Sequence, residues 1–283
     1  MDTHPCPTLN DVIACKTLTA DAITKEYAKL KKYDATVIRN CFVGNPILYH
    51  FQMVNLVNVK TKNGSFSETM SDETRRTKIW GDANKYANGS RPNNPALRLF
   101  EMWRRMNGAV VFFKPNVAMY VYKKFKATKV LDVCAGWGGR LLAASALGIE
   151  YTGIDTNTDL RGAYEGLLTL TGSGRMIWED ALTVDFETID YDCVLTSPPY
   201  INLEVYPHMK TWDNKKQFYT EFLIPLINKC RVHIKAGGKV CFNISPQMYA
   251  ELLKAGYEPC KEMIEMKQQK VQGKEKGDKV YVW

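Results

Sequence analysis

Two short segments limit what this chain can fold into: Val130 to Arg140, reading VLDVCAGWGGR, and Tyr191 to Tyr200, reading YDCVLTSPPY. Each starts as an apolar run and stops abruptly, one in glycines and the other in Pro-Pro, neither of which can continue a strand. Both predict a buried strand that delivers a loop. In the first loop Gly136, Gly138 and Gly139 let the backbone turn tightly and approach a ligand, and a small, apolar helix is expected over Arg140 to Leu147. The glycine spacing is not the GxGxxG dinucleotide fingerprint.

The next apolar stretch, Glu150 to Asp155, ends in a carboxylate about 20 residues beyond the glycines, where nucleotide-binding α/β folds hold ribose hydroxyls. A third, Arg175 to Trp178, runs into Glu179, Asp180 and Ala181. Ligands of open α/β sheets lie beyond the carboxyl ends of the strands, so all three strand ends would face one crevice.

Asp132, Gly136 and Gly138 in DxxxGxG, followed by Asp155, Asp180 and the tetrapeptide Ser197 to Tyr200 (SPPY), resemble the S-adenosylmethionine-dependent methyltransferases that modify exocyclic amino groups of nucleobases. The resemblance covers roughly residues 110 to 283. It implies a Rossmann-like class I methyltransferase fold: a mostly parallel seven-stranded sheet with an antiparallel last hairpin, here joined to a basic, mainly helical N-terminal region. It also implies S-adenosylmethionine as cofactor. Asp132, Ala135, Gly136 and Gly138 would flank its methionine part. Asp155 would take the ribose hydroxyls, and Asp180, with Ala181 beside it, the adenine amino group. Phe113, Lys114 and Pro115 match the segment that closes over the methionine end in this family.

The SPPY segment suits the chemistry. An exocyclic amine is a poor nucleophile because its lone pair is delocalised into the ring, and two acceptors aimed at its N–H bonds draw it out of conjugation. Ser197 Oγ and the Pro198 carbonyl are the natural acceptors, since Pro198 and Pro199 fix the backbone there. The Tyr200 ring can stack on the base and meet the positive charge that develops on nitrogen. No metal is required. Serine at the first SPPY position favours cytosine N4 slightly over adenine N6.

Charge separates the chain into unlike halves. Residues 1–129 hold 21 Lys and Arg against 10 Asp and Glu, while residues 130–283 hold 17 against 20. The basic excess therefore lies outside the expected catalytic core, which points to a polyanionic partner, DNA favoured over RNA. Arg75, Arg76, Arg91, Arg104 and Arg105 are the candidate phosphate contacts. The turn-forming tract NGSRPNNP, 88–95, suggests a division into residues 1–94, a recognition region, and 95–283, the methyltransferase domain. No large insertion follows Asp180 or Tyr200, so specificity would come from residues 1–110 or from a partner chain, which could be a second copy. RNA bases, a protein glutamine and an inactive nucleic-acid-binding subunit are the rival readings.

No run of 18 apolar residues and no N-terminal signal pattern occurs, so a soluble, cytoplasmic protein without membrane contact is expected. None of the eight cysteines forms a CxxC pair, and Cys134, Cys193 and Cys241 fall in apolar runs, as reduced core residues do. Pro259-Cys260 is read as structural. Periodicity predicts helices over Thr19 to Tyr33, Ser71 to Asn88 and Ala96 to Met106. In the last of these, Leu97 or Leu99, Phe100 and Trp103 face inward while Arg98, Arg104 and Arg105 face out. A hairpin turn is expected at Lys62-Asn63-Gly64, and a long helix from Lys215 to about Ile234 kinked at Pro225. Strands are expected over Lys239 to Ile244, Tyr257 to Met263 and Lys279 to Trp283.

Overall fold

The computed structural model describes residues 5–61, 63–85, 93–108, 110–201, 210–266 and 277–283. Its centre is a seven-stranded sheet of β1 (Lys129–Asp132), β2 (Glu150–Ile154), β3 (Arg175–Ile177), β4 (Cys193–Thr196), β5 (Lys239–Ile244), β6 (Glu262–Glu265) and β7 (Lys279–Val282), in the spatial order β3-β2-β1-β4-β5-β7-β6. The first five are parallel, and β7 pairs antiparallel with both β5 and β6. This is the Rossmann-like class I methyltransferase arrangement. Strand order reverses between β1 and β4, which puts the crevice for a ligand at their carboxyl ends.

Upstream of β1 the chain forms α1 (Leu9–Ala14), α2 (Ala20–Lys31), α3 (Asn45–Asn58), α4 (Phe66–Ser71), α5 (Glu73–Lys85), α6 (Pro95–Asn107) and α7 (Pro115–Phe125). Then α8 (Gly139–Ala146) follows β1, α9 (Arg161–Thr171) follows β2, and α10 (Lys215–Phe218), α11 (Ile224–Val232) and α12 (Pro246–Lys254) flank β5. Period-two alternation gives the sheet two dry faces. Along β4, Cys193 and Leu195 enter one core and Val194 the other; along β5, Cys241 enters the first, Val240 and Phe242 the second. The first core is completed by Leu30, Leu48, Leu99, Tyr122 and Leu141 from α2, α3, α6, α7 and α8. Phe218, Leu226 and Leu252 from α10 to α12 complete the second. Both faces being covered, the strands read as continuous apolar runs.

Several local expectations differ from the structure for identifiable reasons. The apolar stretch around Pro46 to Val59, whose pattern does not decide between strand and helix, is the helix α3, with Pro46 in its first turn. The hairpin turn expected at Lys62-Asn63-Gly64 is closed by an antiparallel bridge in which Thr61 and Gly64 exchange backbone hydrogen bonds of 3.2 and 3.1 Å, but it joins α3 to α4 and not two strands; Lys62 itself lies outside the described residues. The helix expected from Ser71 starts later. Ser71 closes α4, Asp72 is extended (φ −95°, ψ 112°), and its carboxylate accepts from the Arg75 N–H at 3.0 Å, capping α5. Arg98, expected outward, is buried beside Trp80, with its guanidinium 5.4 Å from the ring centroid. Pro225 is accommodated by a π-helical stretch, Tyr219–Leu223, immediately before α11. That wider turn is one way to relieve the clash of a proline ring with the preceding helical turn. The strand expected from Tyr257 begins only at Glu262, because the Cys260 N–H is taken by the Tyr249 hydroxyl at 3.0 Å.

Of the linker tract, 88–92 lies outside the described residues, and Asn94 caps α6 by accepting from Ala96 and Leu97 N–H. Among the described residues no helix is long and apolar enough to cross a membrane.

Where α8 begins, one backbone runs against another. A Cβ added to Gly139 would stand 2.1 Å from the Phe113 carbonyl oxygen, a contact that only main-chain movement can relieve. Gly139→Ala is expected to lower unfolding free energy by at least about 1–3 kcal/mol, read as a reduced midpoint in urea; an unshifted midpoint would show that the 113 segment moves freely.

Candidate active site

The loop after β1 is shaped by a buried ion pair. Arg140, in the first turn of α8, donates from Nε to Asp132 Oδ2 at 2.6 Å, and from its terminal nitrogen to the carbonyls of Cys134 (2.5 Å) and Ala135 (3.3 Å). Its guanidinium also lies 5.0 Å from the Phe113 ring centroid. Tyr151 donates its hydroxyl to the same Asp132 oxygen at 2.8 Å. Burial alone would lower the Arg140 pKa, but Asp132 outweighs it and the net shift is upward. Burial, with Asp132 adding to it, pushes the phenols of Tyr122, Tyr151 and Tyr164 well up, so they remain neutral.

The loop is then stitched to its neighbours. The Cys134 N–H donates to Thr196 Oγ1 at the end of β4 (3.0 Å), and the Ala135 N–H to the Ile154 carbonyl (3.0 Å). Asp155 accepts from Gly136 N–H (2.7 Å) with one oxygen and from Asn157 N–H (2.9 Å) with the other. Burial pushes the Asp155 carboxyl above the usual aspartate value, against the pull of those two donors. At the next strand end Asp180 accepts from Leu182 N–H (2.9 Å), and Lys229 from α11 fastens the turn by donating to the carbonyls of Ala181, Leu182 and Val184.

Ser197 follows β4, and its hydroxyl lies 3.3 Å from Asn243 Oδ1 and 3.4 Å from the Asn243 carbonyl. The Asn243 amide orientation is fixed independently, because its Nδ2 donates to the Lys279 carbonyl at 3.1 Å, and a carbonyl can only accept. Oδ1 therefore faces Ser197. The single hydroxyl hydrogen is spent on Asn243, and Ser197 Oγ presents acceptor lone pairs to a ligand.

These elements enclose one cleft of about 740 Å³, within the range of small-molecule sites. Of the residues the sequence points to, Phe113, Lys114, Ala135, Gly136, Asp155, Asp180, Ala181 and Ser197 to Tyr200 line it. Asp132, Gly138 and Pro115 stand behind it: Asp132 is wholly buried, Gly138 opens α8 in the left-handed region, and Pro115 opens α7. Arg104 also lines the cleft, its terminal nitrogens held by Glu101 and the Val110 carbonyl. Arg75 and Arg76 donate to the carbonyls of Asn63 and Met70, Arg105 is exposed on α6, and Arg91 lies outside the described residues. Cys260 packs beside the second core and not on the cleft wall.

Sequence reasoning missed Arg140, Lys229 and Asn243, whose roles arise only from contacts across the fold. It also missed Trp212 and Phe222, which line the cleft with ring centroids 5.0 Å apart. Their aromatic character was visible, but neither Trp212, just before α10, nor Phe222, in the π-helical stretch after it, falls in a motif.

No family model matches the chain, and no curated protein matches it. Solved structures do. TrmN from Thermus thermophilus is 16% identical over 73% of this chain and 77% of that one, with a TM-score of 0.46. An S-adenosylmethionine-dependent methyltransferase from Clostridium acetobutylicum is 11% identical over 65% and 96%, at 0.45. An rRNA methylase from Streptococcus thermophilus is 11% identical over 61% and 97%, at 0.40. Likeness at this level assigns neither activity nor substrate to this chain.

The buried pair makes a direct prediction. Arg140→Met strands the Asp132 carboxylate and is expected to cost about 3–5 kcal/mol, while Asp132→Leu combined with Arg140→Met recovers part of it. Urea unfolding of Arg140→Met, Asp132→Leu and the double variant measures this; a double-variant loss equal to the sum of the two single losses would mean that the pair is not coupled.

Proposed function

We propose that the protein transfers a methyl group from S-adenosylmethionine to the exocyclic amino group of a nucleic-acid base, cytosine N4 in DNA first. The observation that carries this reading is that Ser197, Pro198 and Tyr200 share one continuous cleft with the carboxylates Asp155 and Asp180. The residues fit the cofactor. Gly136 sits on the cleft wall, and a Cβ there would meet only the Cys134 carbonyl, at 3.9 Å, so the missing side chain leaves room for a ligand against bare backbone. Asp155 and Asp180 each spend one or two lone pairs on backbone N–H groups and keep others for ligand hydroxyl and amino donors.

Bound there, S-adenosylmethionine would supply an electrophilic methyl group on a sulfonium. The protein's own part is to present a nucleophile. Ser197 Oγ, its proton committed to Asn243, accepts one amine N–H, and the Pro198 carbonyl accepts the other. Together they localise the nitrogen lone pair. Tyr200 stacks on the base and faces the charge as it develops.

Calorimetry tests the cofactor half. Asp155 is an acceptor for ribose hydroxyls when ionised, and its pKa is raised. Affinity for S-adenosylmethionine should therefore fall as pH drops through a value higher than that of an ordinary aspartate, and Asp155→Asn should remove this step. Identical pH profiles in the two proteins would take Asp155 out of the site.

Single-turnover methylation of DNA and RNA pools, with nucleoside mass analysis, tests the transfer half. Tyr200→Ala should lose stacking of about 1–3 kcal/mol, and Ser197→Ala and Asn243→Leu should both slow transfer while cofactor affinity holds. If all three methylate as fast as the parent, SPPY is only a turn. Label confined to RNA would move the substrate from DNA to RNA.

A further inference from the structure

The cleft has a second wall that the transfer chemistry does not use. The loop between α2 and α3 brings Arg39, Asn40 and Phe42 to its wall, which Val111 and Lys114 also line. Phe42 is 63% exposed and Val111 66%, among the most exposed large apolar residues described. Single exposed apolar residues carry no meaning, but these two line one cleft together with two cations.

The loop is pinned, which holds Phe42 out. Asn116 Nδ2 donates to the Arg39 carbonyl at 2.8 Å, Lys114 Nζ to Asn40 Oδ1 at 2.6 Å, and the Gly44 N–H to Glu26 at 2.9 Å. Lys114 Nζ also stands 4.6 Å from the Phe42 ring centroid, and most of that residue stays open to solvent. Arg39 pairs with Asp34 at 3.3 Å, both side chains more than half exposed. Such a pair is weak enough to be exchanged for a phosphate.

An apolar ring flanked by an ammonium and a guanidinium matches the alternation of base and phosphate along a single strand. We propose that Phe42 and Val111 form a platform for the nucleotide next to the target base, with Arg39 and Lys114 taking the adjoining phosphates. The inference rests on the proposed nucleic-acid substrate. It adds that the protein holds the strand on residues upstream of β1, in extended, unpaired form.

Binding tests this apart from transfer. Anisotropy of fluorescein-labelled single-stranded 12-mers, DNA and RNA, is measured for the parent, Phe42→Ala, Val111→Ser, Phe42→Trp, and Val54→Ser as a control. Val54 is likewise exposed and does not line the cleft. Phe42→Ala should weaken binding by about 5- to 150-fold, Phe42→Trp should restore it, and Val54→Ser should match the parent. Replacing Arg39 and Lys114 with Gln should flatten the dependence of log affinity on log salt by about 1.4. Thermal melting identifies any variant that fails to fold. If Phe42→Ala binds 12-mers like the parent, or the parent binds none, the platform is overturned and the patch falls to another class of partner. If binding behaves as expected but no methyl is transferred, the platform stands and the proposed activity falls.

Discussion

The site depends on one buried charge pair. Asp132 is wholly buried at the end of β1, and a lone carboxylate there would cost several kcal/mol. Arg140 neutralises it and uses its remaining donors on the carbonyls of the glycine loop. The pair therefore sets the path of the backbone between strand and helix. With Asp155 already holding Gly136 and Asn157, most of the loop's polar groups have partners before any ligand arrives. Ordering such a loop costs binding little entropy, which is the advantage of a preformed site.

How much of this was legible follows from where the information sits. The strands β1, β2 and β4 could be read because their apolar runs end in residues with only a loop meaning, glycines, Asp155 or Pro-Pro. The helix α2 could be read from Tyr27 and Leu30 at core spacing and Thr19 as its cap. Ser197, Asp155 and Asp180 were placed in one crevice because parallel strands must end on the same side. The contacts that tune them were not legible. Asn243 matters because its amide faces Ser197 from the neighbouring strand, and Lys229 because three carbonyls from another loop converge on it. No spacing along the chain encodes either fact.

Errors fell where local signals competed. Lys62-Asn63-Gly64 reads as a hairpin turn and closes as one between Thr61 and Gly64, but the flanking residues bury helical faces, so it joins helices and not strands. Ser71 and Asp72 are both good caps one position apart, and the extended backbone at Asp72 decides between them. The outward assignment of Arg98 failed because periodicity ranks residues by polarity, whereas an arginine can lie flat beside an aromatic ring and be buried.

The order of the strands in the sheet has a consequence for synthesis. β7 lies between β5 and β6 but is made after both. While the chain is leaving the ribosome, β6 has no edge to join, and β5 offers an unpaired edge whose Cys241 and Phe242 are already committed to opposite cores. The last strand thus works as a closing piece, inserted between two segments that must wait for it. Until it arrives, the nascent protein carries an open sheet edge of the kind that other chains can pair with.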